Sequence, residues 1–184
     1  MKKLNLGCGK FKKQGYVNLD WDSKCNPDIK HDLNNTPYPF EDNEFDVVEM
    51  DYVLEHLNDV FGKMKELHRI LKPNGLLKLK VSHFSRGYAH PEHKAGFDVS
   101  FPYYFNPTYK GGYTGIKFKL LNTIFEWNCQ PYLKKQVLSP FSYYSSLFCG
   151  KIIDFFANIN QKFCSRIWCY WVGGFDSIEF DFTK

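Results

Sequence analysis

Apolar positions along the first part of the chain form short strand-like runs and then one long helical stripe. The short runs predict strands near residues 3–6, 16–19, 28–31, 45–50 and 76–82. Before the last of these strands, apolar residues recur at intervals of three and four, which predicts a helix near 53–71. The residues of this stripe are Leu54, Leu57, Phe61, Met64, Leu67 and Leu71. The alternation of strands and helix indicates an α/β fold with a Rossmann-like, mostly parallel sheet.

The pattern changes after residue 83. Alternating apolar residues at 116–120 and 123–127 slip in phase, which predicts a strand with a bulge, and 177–183 alternates cleanly. These segments predict a final antiparallel strand pair. An aromatic-rich insertion over 131–174 separates them, with helical stretches around 146–170.

Two longer segments in the second half of the chain are candidates for covering the site. Residues 84–115 predict loops with one short helix near 102–105. Together with 131–171, they are the candidates for excluding water from the ligand. On the strand at 76–82, Lys78 and Lys80 fall on one face, which indicates that this face of the sheet is thinly covered.

A glycine turn follows the first strand, in Leu6-Gly7-Cys8-Gly9-Lys10, and Asp20 ends the second strand. Glycine lets the backbone turn and a ligand approach closely, and a carboxylate at a strand end can accept both hydroxyls of a ribose. A dinucleotide fingerprint needs a third glycine, where Lys12 stands here, and an acid ~20 residues further on. The short spacing therefore favours a nucleoside ligand without phosphates, such as S-adenosylmethionine.

With these features in place, the chain resembles the class I S-adenosylmethionine-dependent methyltransferases. More narrowly, it is similar to small methyltransferase-domain proteins often found among genes for cell-surface polysaccharide synthesis. The resemblance covers about residues 3–105. It is carried by LNLGCG (4–9), NLD (18–20), HDLN (31–34), PYPFEDNEFDVV (37–48), VLEHL (53–57), LKPNG (71–75) and HPEHKAGF (90–97). It implies S-adenosylmethionine as cofactor, S-adenosylhomocysteine as product, and methyl transfer to O or N of a small molecule.

The resemblance and the strand ends together indicate a set of cofactor-binding residues. The glycine turn is expected at the methionine part, Asp20 at the ribose, and Asp32 with Leu33 at the adenine. Trp21 is expected to stack on the adenine; the alternative is that it is a packed aromatic. His56 is expected near the methionine part; the alternative is a structural role in capping or packing. The full set is Leu6, Gly7, Cys8, Gly9, Lys10, Asp20, Trp21, Asp32, Leu33, Asp51, Tyr52 and His56.

Histidines near the end of the fifth strand are candidates for a general base. Transfer to O or N requires removal of a proton, and imidazole titrates near neutrality. We expect His93, and after it His83, to be catalytic; the alternative is that both only shape the loop. The spacing of His83, His90, Glu92 and His93 matches no tight metal-binding pattern, so no metal is predicted.

Composition limits the remaining possibilities. The 184 residues, 43% of them hydrophobic, predict one methyltransferase domain over 1–184, with a cofactor-binding half at 1–83 and acceptor-side elements at 84–184. The net charge of +4 is too mild to indicate nucleic acid. The six cysteines form no CxxC pair and the first strand begins near Met1, so a cytoplasmic location without a targeting segment is expected.

The acceptor is left open by the sequence. Asp51-Tyr52-Val53-Leu54 lacks the Pro-Pro pair typical of enzymes that methylate base amino groups, whereas the resemblance favours a saccharide or nucleotide-sugar intermediate. The aromatic residues between 88 and 113 are suited either to stacking against a sugar ring or to packing in a core. One alternative is a non-catalytic cofactor-binding or scaffold domain. Another is a membrane-peripheral methyltransferase acting on lipid-linked substrates, suggested by Ile152, Phe155 and Phe156 beside Lys151, Lys162, Arg166 and Trp168. The oligomeric state is not indicated.

Overall fold

The computed structural model describes residues 1–184 and contains one seven-stranded sheet. Its strands are β1 (Lys3–Leu6), β2 (Val17–Asp20), β3 (Ile29–Lys30), β4 (Phe45–Asp51), β5 (Leu71–Ser82), β6 (Lys119–Glu126) and β7 (Ser177–Thr183). The strand order is β3-β2-β1-β4-β5-β7-β6. Strands β1 to β5 pair in parallel, and β7 runs antiparallel to both β5 and β6. The predicted α/β sheet with a final antiparallel pair is confirmed, and β6 carries a register shift between Leu120 and Asn122, as the phase slip predicted.

The helices are mostly short, and four of the six belong to the insertion. They are α1 (Val60–Ile70), α2 (Phe84–Gly87), α3 (Pro131–Lys134), α4 (Pro140–Ile159), α5 (Gln161–Phe163) and α6 (Cys169–Trp171). A π-helical segment at Cys164–Trp168 joins α5 to α6. Short 3₁₀ turns lie at Ser23–Cys25, Leu54–His56 and Phe101–Phe105, the last close to the helix predicted near 102–105.

The helix predicted over 53–71 is broken near its start. A 3₁₀ turn at Leu54–His56 is followed by extended backbone, and α1 begins only at Val60. Asp59 ends the break, because its carboxylate accepts the Gly62 N–H at 3.0 Å and caps the helix. Leu54 and Leu57 are buried although the helix is interrupted here, so apolar spacing alone could not reveal the interruption.

No helix lies between β1 and β2, although the connection is long enough for one helical turn. The buried Asn18 side chain holds this short connection instead. Its Oδ1 accepts hydrogen bonds from the Lys13 N–H at 2.8 Å and from Asn5 Nδ2 at 3.0 Å, while its Nδ2 donates to the Tyr16 carbonyl at 3.1 Å. The compact loop leaves the carboxyl ends of β1 and β2 open to a ligand.

The two faces of the sheet have opposite character. One face is apolar and buried, and it packs with Met64, Leu67 and Ile70 of α1 in the main core. Its strand residues are Leu4, Leu6, Leu19, Val48, Met50, Leu77, Leu79, Val81, Ile178, Phe180 and Phe182. Phe97, Phe101 and Phe105 join the same core, so these aromatics are packing residues and not a sugar platform.

The other face carries cross-strand rows of alternating charge. Lys78 lies between Glu49 and Asp181, and Lys80 lies between Asp51 and Glu179. Opposite charges on neighbouring strands attract, and these residues are only partly buried, apart from Asp51, which is exposed. The thin cover predicted from Lys78 and Lys80 is therefore present.

Helix α4 of the insertion protects the edge strand β6. Asn158 Oδ1 accepts the Phe125 N–H at 2.8 Å and Asn158 Nδ2 donates to the Phe125 carbonyl at 3.0 Å. Asp154 accepts the Trp127 N–H at 2.6 Å. These bonds occupy backbone groups that an unpaired edge would otherwise offer to another chain.

Candidate active site

The carboxyl ends of β1, β2 and β4 border a cavity of about 430 Å³, which we name chamber 1. In open parallel sheets this edge is where ligands bind. Chamber 1 is lined by Gly7, Asp20, Trp21, His31, Asp32, Leu33, Asn34, Tyr52, Val53, His56, Leu57 and Glu92. Most of the residues that the sequence indicated for the cofactor thus come together from separate parts of the chain.

The glycine turn after β1 approaches the segment after β4 too closely for a side chain. Gly7 has φ +66°, and a Cβ on it would lie 2.3 Å from Cγ2 of Val53. Gly9 also has a positive φ, +49°, although a Cβ there would meet open space. Glycine at position 7 is therefore required both by backbone conformation and by packing.

Two backbone amides hold the Asp20 carboxylate. Its Oδ2 accepts the Gly9 N–H at 2.8 Å, and its Oδ1 accepts the Asp22 N–H at 2.9 Å. The residue is 7% exposed, at the wall of chamber 1. Each carboxylate oxygen has two acceptor sites, so both oxygens retain capacity for a ligand hydroxyl.

A second cavity of about 410 Å³, chamber 2, shares Gly7 and Tyr52 with chamber 1. Its lining is Asn5, Gly7, Cys8, Phe11, Lys13, Asp51, Tyr52, Gln130 and Tyr132. Lys13 Nζ contacts Asp51 Oδ2 at 2.9 Å and Glu49 Oε2 at 2.6 Å. Burial lowers the pKa of Lys13, but these carboxylates raise it above its usual range, so the ammonium stays charged.

Tyr52 connects the two chambers in a conformation that is uncommon for a bulky residue. Its φ is +57°, directly after β4, and its N–H donates to the Lys80 carbonyl at 2.7 Å. The Tyr52 hydroxyl is buried without a hydrogen-bond partner, and burial raises the pKa of this phenol. Backbone strain and an unpaired polar atom at the shared wall are features typical of functional sites.

Three of the residues indicated for the cofactor lie outside the walls of chambers 1 and 2. Leu6 is buried in the core and Lys10 is exposed. Gly9 contributes its N–H to Asp20. Cys8 lines chamber 2 and is 3% exposed. Burial raises the pKa of its thiol, which favours the neutral form of this small side chain in the tight turn.

Chamber 3, a third cavity of about 300 Å³, adjoins chamber 2 through Gln130. Its lining is Ser82, Arg86, Gly87, Ala89, His90, His93, Cys129, Gln130, Leu133, Lys134 and Asp176. Arg86 Nη1 contacts Asp176 Oδ1 at 2.9 Å, and Lys134 contacts the other oxygen. Although burial raises the pKa of Asp176, its bonds to Lys134 and Arg86 lower it overall. Residues of 84–115 and of the insertion both contribute to these walls.

The two histidines predicted as bases lie in different surroundings. His93 lines chamber 3, and its Nδ1 bonds to the Gly87 carbonyl at 2.6 Å; burial lowers its pKa. His83 is fully buried, with Nδ1 2.7 Å from Ser85 Oγ and Nε2 3.0 Å from Ser165 Oγ. Burial lowers the pKa of His83 to about 4. The structure thus brings His93 to a cavity and leaves His83 outside the three chambers.

His93 also belongs to a group of three imidazoles. Its ring centroid lies 4.6 Å from that of His56 and 4.7 Å from that of His90. One ring nitrogen from each of the three residues lies within 4.8 Å of the others. Neutral imidazoles in such a group are potential metal ligands.

Sequence reasoning missed several wall residues. His31, Asn34, Val53 and Leu57 of chamber 1 lie within the motifs HDLN and VLEHL, so a signal for them existed. Four further residues of chamber 2 lie outside the quoted motifs and carried no such signal. They are Phe11, Lys13, Gln130 and Tyr132.

Comparisons with known proteins bear on the fold and on the cofactor. A family model described as a methyltransferase domain matches residues 13–79. Demethylmenaquinone methyltransferase of Staphylococcus saprophyticus is 49% identical over 39 residues, which is 21% of this chain and 17% of that enzyme. This chain therefore matches about one sixth of that relative's length.

Solved structures match the whole chain. An S-adenosylmethionine-dependent methyltransferase from Archaeoglobus fulgidus has a TM-score of 0.61 at 16% identity, covering 100% of this chain and 86% of that one. A second from Mesorhizobium loti has a TM-score of 0.58 at 13% identity, covering 100% and 90%. The sheet topology and these matches show that the chain has the fold of the class I S-adenosylmethionine-dependent methyltransferases. The resemblance to class I methyltransferases drawn from the motifs is confirmed by the family model and the fold, and both support S-adenosylmethionine as the cofactor.

Gly7→Ala is expected to destabilise the methyltransferase domain because the new Cβ meets Val53 in a backbone conformation that L residues avoid. Gly115→Ala is the matched control, since Gly115 also has a positive φ (+84°) but open space around its Cβ. Chemical denaturation should give a loss of about 1–2 kcal/mol for the control and about 1–3 kcal/mol more for Gly7→Ala. The double variant Gly7→Ala/Val53→Ala should recover part of the difference; equal losses in the two single variants would contradict the close approach.

Proposed function

We propose that this protein transfers a methyl group from S-adenosylmethionine to an oxygen or nitrogen atom of a small polar acceptor. The charge of chamber 1 carries the proposal. Its wall contains the carboxylates of Asp20, Asp32 and Glu92 and no lysine or arginine. Such a lining suits a cationic ligand and disfavours a diphosphate, which is typically held by cations or by a helix N-terminus.

The residues present fit the adenosyl and methionine parts of the cofactor. Asp20 offers free acceptor sites to a ribose, and Asp32 and Leu33 lie further along the same wall. Gly7 and Tyr52, which both chambers share, are assigned to the sulfonium region. When bound, the cofactor supplies an electrophilic methyl group; the contribution of this chain is to align it with the acceptor and exclude water.

Chamber 3 is assigned to the acceptor. Its wall combines two cations with the carboxylate of Asp176 and the polar side chains of Ser82 and Gln130. Gln130 is also part of chamber 2, so the acceptor region adjoins the cofactor region. These hydrogen-bonding groups suit an acceptor with several hydroxyls, which supports the saccharide or nucleotide-sugar intermediate that the resemblance favours.

We assign the general base to His93. The Gly87 carbonyl accepts its Nδ1–H, which leaves the lone pair on Nε2 free to take a proton from the acceptor. His83 is assigned a structural role because both of its ring nitrogens already have serine partners inside the protein.

A cytoplasmic location is part of the proposal. All six cysteines are free in the structure, which supports a reducing compartment.

Asp20→Asn should weaken S-adenosylhomocysteine binding by about 10- to 100-fold, because a neutral amide replaces a carboxylate that accepts two ribose hydroxyls. Isothermal titration calorimetry measures the change. Asp42→Asn, an exposed carboxylate paired with Arg69 outside the three chambers, is the control and should bind as the unchanged protein does. Equal affinity in both variants, with unchanged thermal unfolding, would remove Asp20 from the site.

His93→Gln should lower kcat by at least about 100-fold while leaving cofactor affinity unchanged, since general acid–base catalysis contributes about 10² to 10⁴. Turnover is followed as S-adenosylhomocysteine release across a panel of saccharide and nucleotide-sugar acceptors, with chelator-treated enzyme. His83→Asn should instead reduce the free energy of unfolding. Full turnover in a folded His93→Gln variant would exclude His93 as base, and binding without turnover across the panel would favour the non-catalytic alternative.

A membrane-peripheral role is a second candidate because the insertion exposes an extended apolar face. Phe141, Phe148, Phe155 and Trp171 are 84%, 67%, 67% and 71% exposed. We name as the apolar face the exposed set Phe141, Tyr144, Phe148, Ile152, Phe155, Phe156, Ile159, Phe163, Ile167, Tyr170 and Trp171. No helix combines the length and the apolar content that crossing a bilayer requires.

The charge of the insertion matches an anionic lipid surface. Five basic residues and one acid, Asp154, give residues 131–174 a net charge of +4, equal to the net charge of the whole chain. The basic residues are Lys134, Lys135, Lys151, Lys162 and Arg166. Aromatic and aliphatic side chains surrounded by cations are typical of interfacial segments.

The chain should float with vesicles that contain phosphatidylglycerol and less with pure phosphatidylcholine vesicles. Phe148→Glu/Phe155→Glu should abolish flotation, whereas Leu121→Glu, an exposed apolar position on β6, should not. Absence of flotation at low ionic strength would end the membrane candidate without affecting the cofactor site.

A further inference from the structure

Three histidines from two separate segments converge beside chambers 1 and 3. His56 ends the 3₁₀ turn after β4, and His90 and His93 lie in the loop after α2. Two backbone hydrogen bonds join these segments, since the Glu55 carbonyl accepts the N–H of Lys94 at 2.8 Å and that of Ala95 at 3.4 Å. The fold itself therefore holds the three rings together.

We propose that His56, His90 and His93 form a binding site for a divalent transition-metal ion, with Zn²⁺ as the best match. Three imidazoles that leave a fourth position open are the ligand set of some catalytic zinc sites. His56 lines chamber 1, whereas His90 and His93 line chamber 3, so the ion would lie between the cofactor and acceptor regions.

His93 already has the support that metal-bound histidines usually have. The Gly87 carbonyl accepts the hydrogen of Nδ1 at 2.6 Å, which fixes the tautomer and leaves Nε2 with its lone pair. Metal ligands of this kind almost always donate the other ring N–H to a carbonyl or a carboxylate.

A buried carboxylate near the group provides a second, independent indication. Glu55 is fully buried, and its Oε1 accepts the Ser82 N–H at 3.0 Å and the Ser82 hydroxyl at 2.8 Å. Its Oε2 is buried without any partner. Burial of an unpaired carboxylate oxygen is costly, and a cation nearby would offset that cost. The carboxylate of Glu92, the residue before His93, lines chamber 1 and is available as a fourth ligand.

Only a small rearrangement separates the present geometry from a coordinating one. Tetrahedral zinc with Zn–N near 2.1 Å places ligand nitrogens about 3.4 Å apart. One nitrogen from each ring is already within 4.8 Å of the others. The His90 and His93 rings stack at an interplanar angle of 20°, so His90 has to rotate. His90 is exposed, and the hydrogen bond that its ring accepts at Nδ1 from the Glu92 N–H is long at 3.3 Å.

The metal site goes beyond the proposed function and competes with the base role of His93, but its readouts, metal binding and spectroscopy, are separate from turnover. Nε2 of His93 cannot accept a proton and hold an ion at the same time. The turnover measurements on His93 proposed above are therefore made on chelator-treated enzyme, and a failure of one proposal leaves the other standing.

The test uses the full chain without a polyhistidine tag, after dialysis against chelator. Titration with Co²⁺ should give one equivalent bound, with visible absorption bands of a four- or five-coordinate ion, and Zn²⁺ should displace the Co²⁺ and abolish the bands. His90→Gln should weaken Zn²⁺ binding at least about 100-fold. Loss of a supporting partner alone costs about 10- to 100-fold in metal affinity, so loss of a ligand should cost no less.

His68→Gln is the matched control. His68 lies on α1, where its ring packs 5.2 Å from that of Phe118, away from the three histidines. This variant should bind Co²⁺ and Zn²⁺ as the unchanged protein does. His90 is exposed, so its variant is expected to fold; His56→Gln is the second variant, and thermal unfolding checks both. Failure to bind Co²⁺ or Zn²⁺ at micromolar concentration would overturn the proposal, as would binding that His90→Gln and His56→Gln leave unchanged.

Discussion

Two backbone amides fix the Asp20 carboxylate at the end of β2, and this arrangement joins the turn after β1 to the second strand. The Gly9 N–H and the Asp22 N–H take one oxygen each, at 2.8 and 2.9 Å. Because the connection between β1 and β2 contains no helix, this carboxylate and the buried Asn18 amide order the loop. In the function that we propose, the same negative charge favours a cationic adenosyl ligand in chamber 1.

The sheet around this site is covered unequally. Leucine, valine and phenylalanine side chains fill one face, while rows of lysine and carboxylate cover the other. Helix α4 of the insertion caps the edge of β6 and leaves the apolar face exposed. Near the start of the insertion, Leu133 and Lys134 help to form chamber 3. In the proposed function the insertion contributes to the acceptor side, and its apolar face is left exposed.

The sequence predicted the sheet and much of chamber 1, because periodicity and glycine position act locally. The register shift in β6 followed from a phase slip, and Asp20 from its distance to Gly9. The sequence did not predict the features that depend on contacts between distant parts of the chain. The cap at Asp59 interrupts an unbroken apolar stripe. The meeting of His56 with His90 and His93 depends on backbone bonds between segments that are far apart along the chain. The burial of His83 likewise depends on Ser165 in the insertion.

A crystal structure of the chain with S-adenosylhomocysteine would show whether Asp20 binds the ribose. We expect both ribose hydroxyls within about 3.2 Å of the Asp20 oxygens, with the sulfur beside Gly7 and Tyr52. A ligand bound elsewhere, or an Asp20 carboxylate that contacts only the Gly9 and Asp22 amides in the complex, would contradict this expectation.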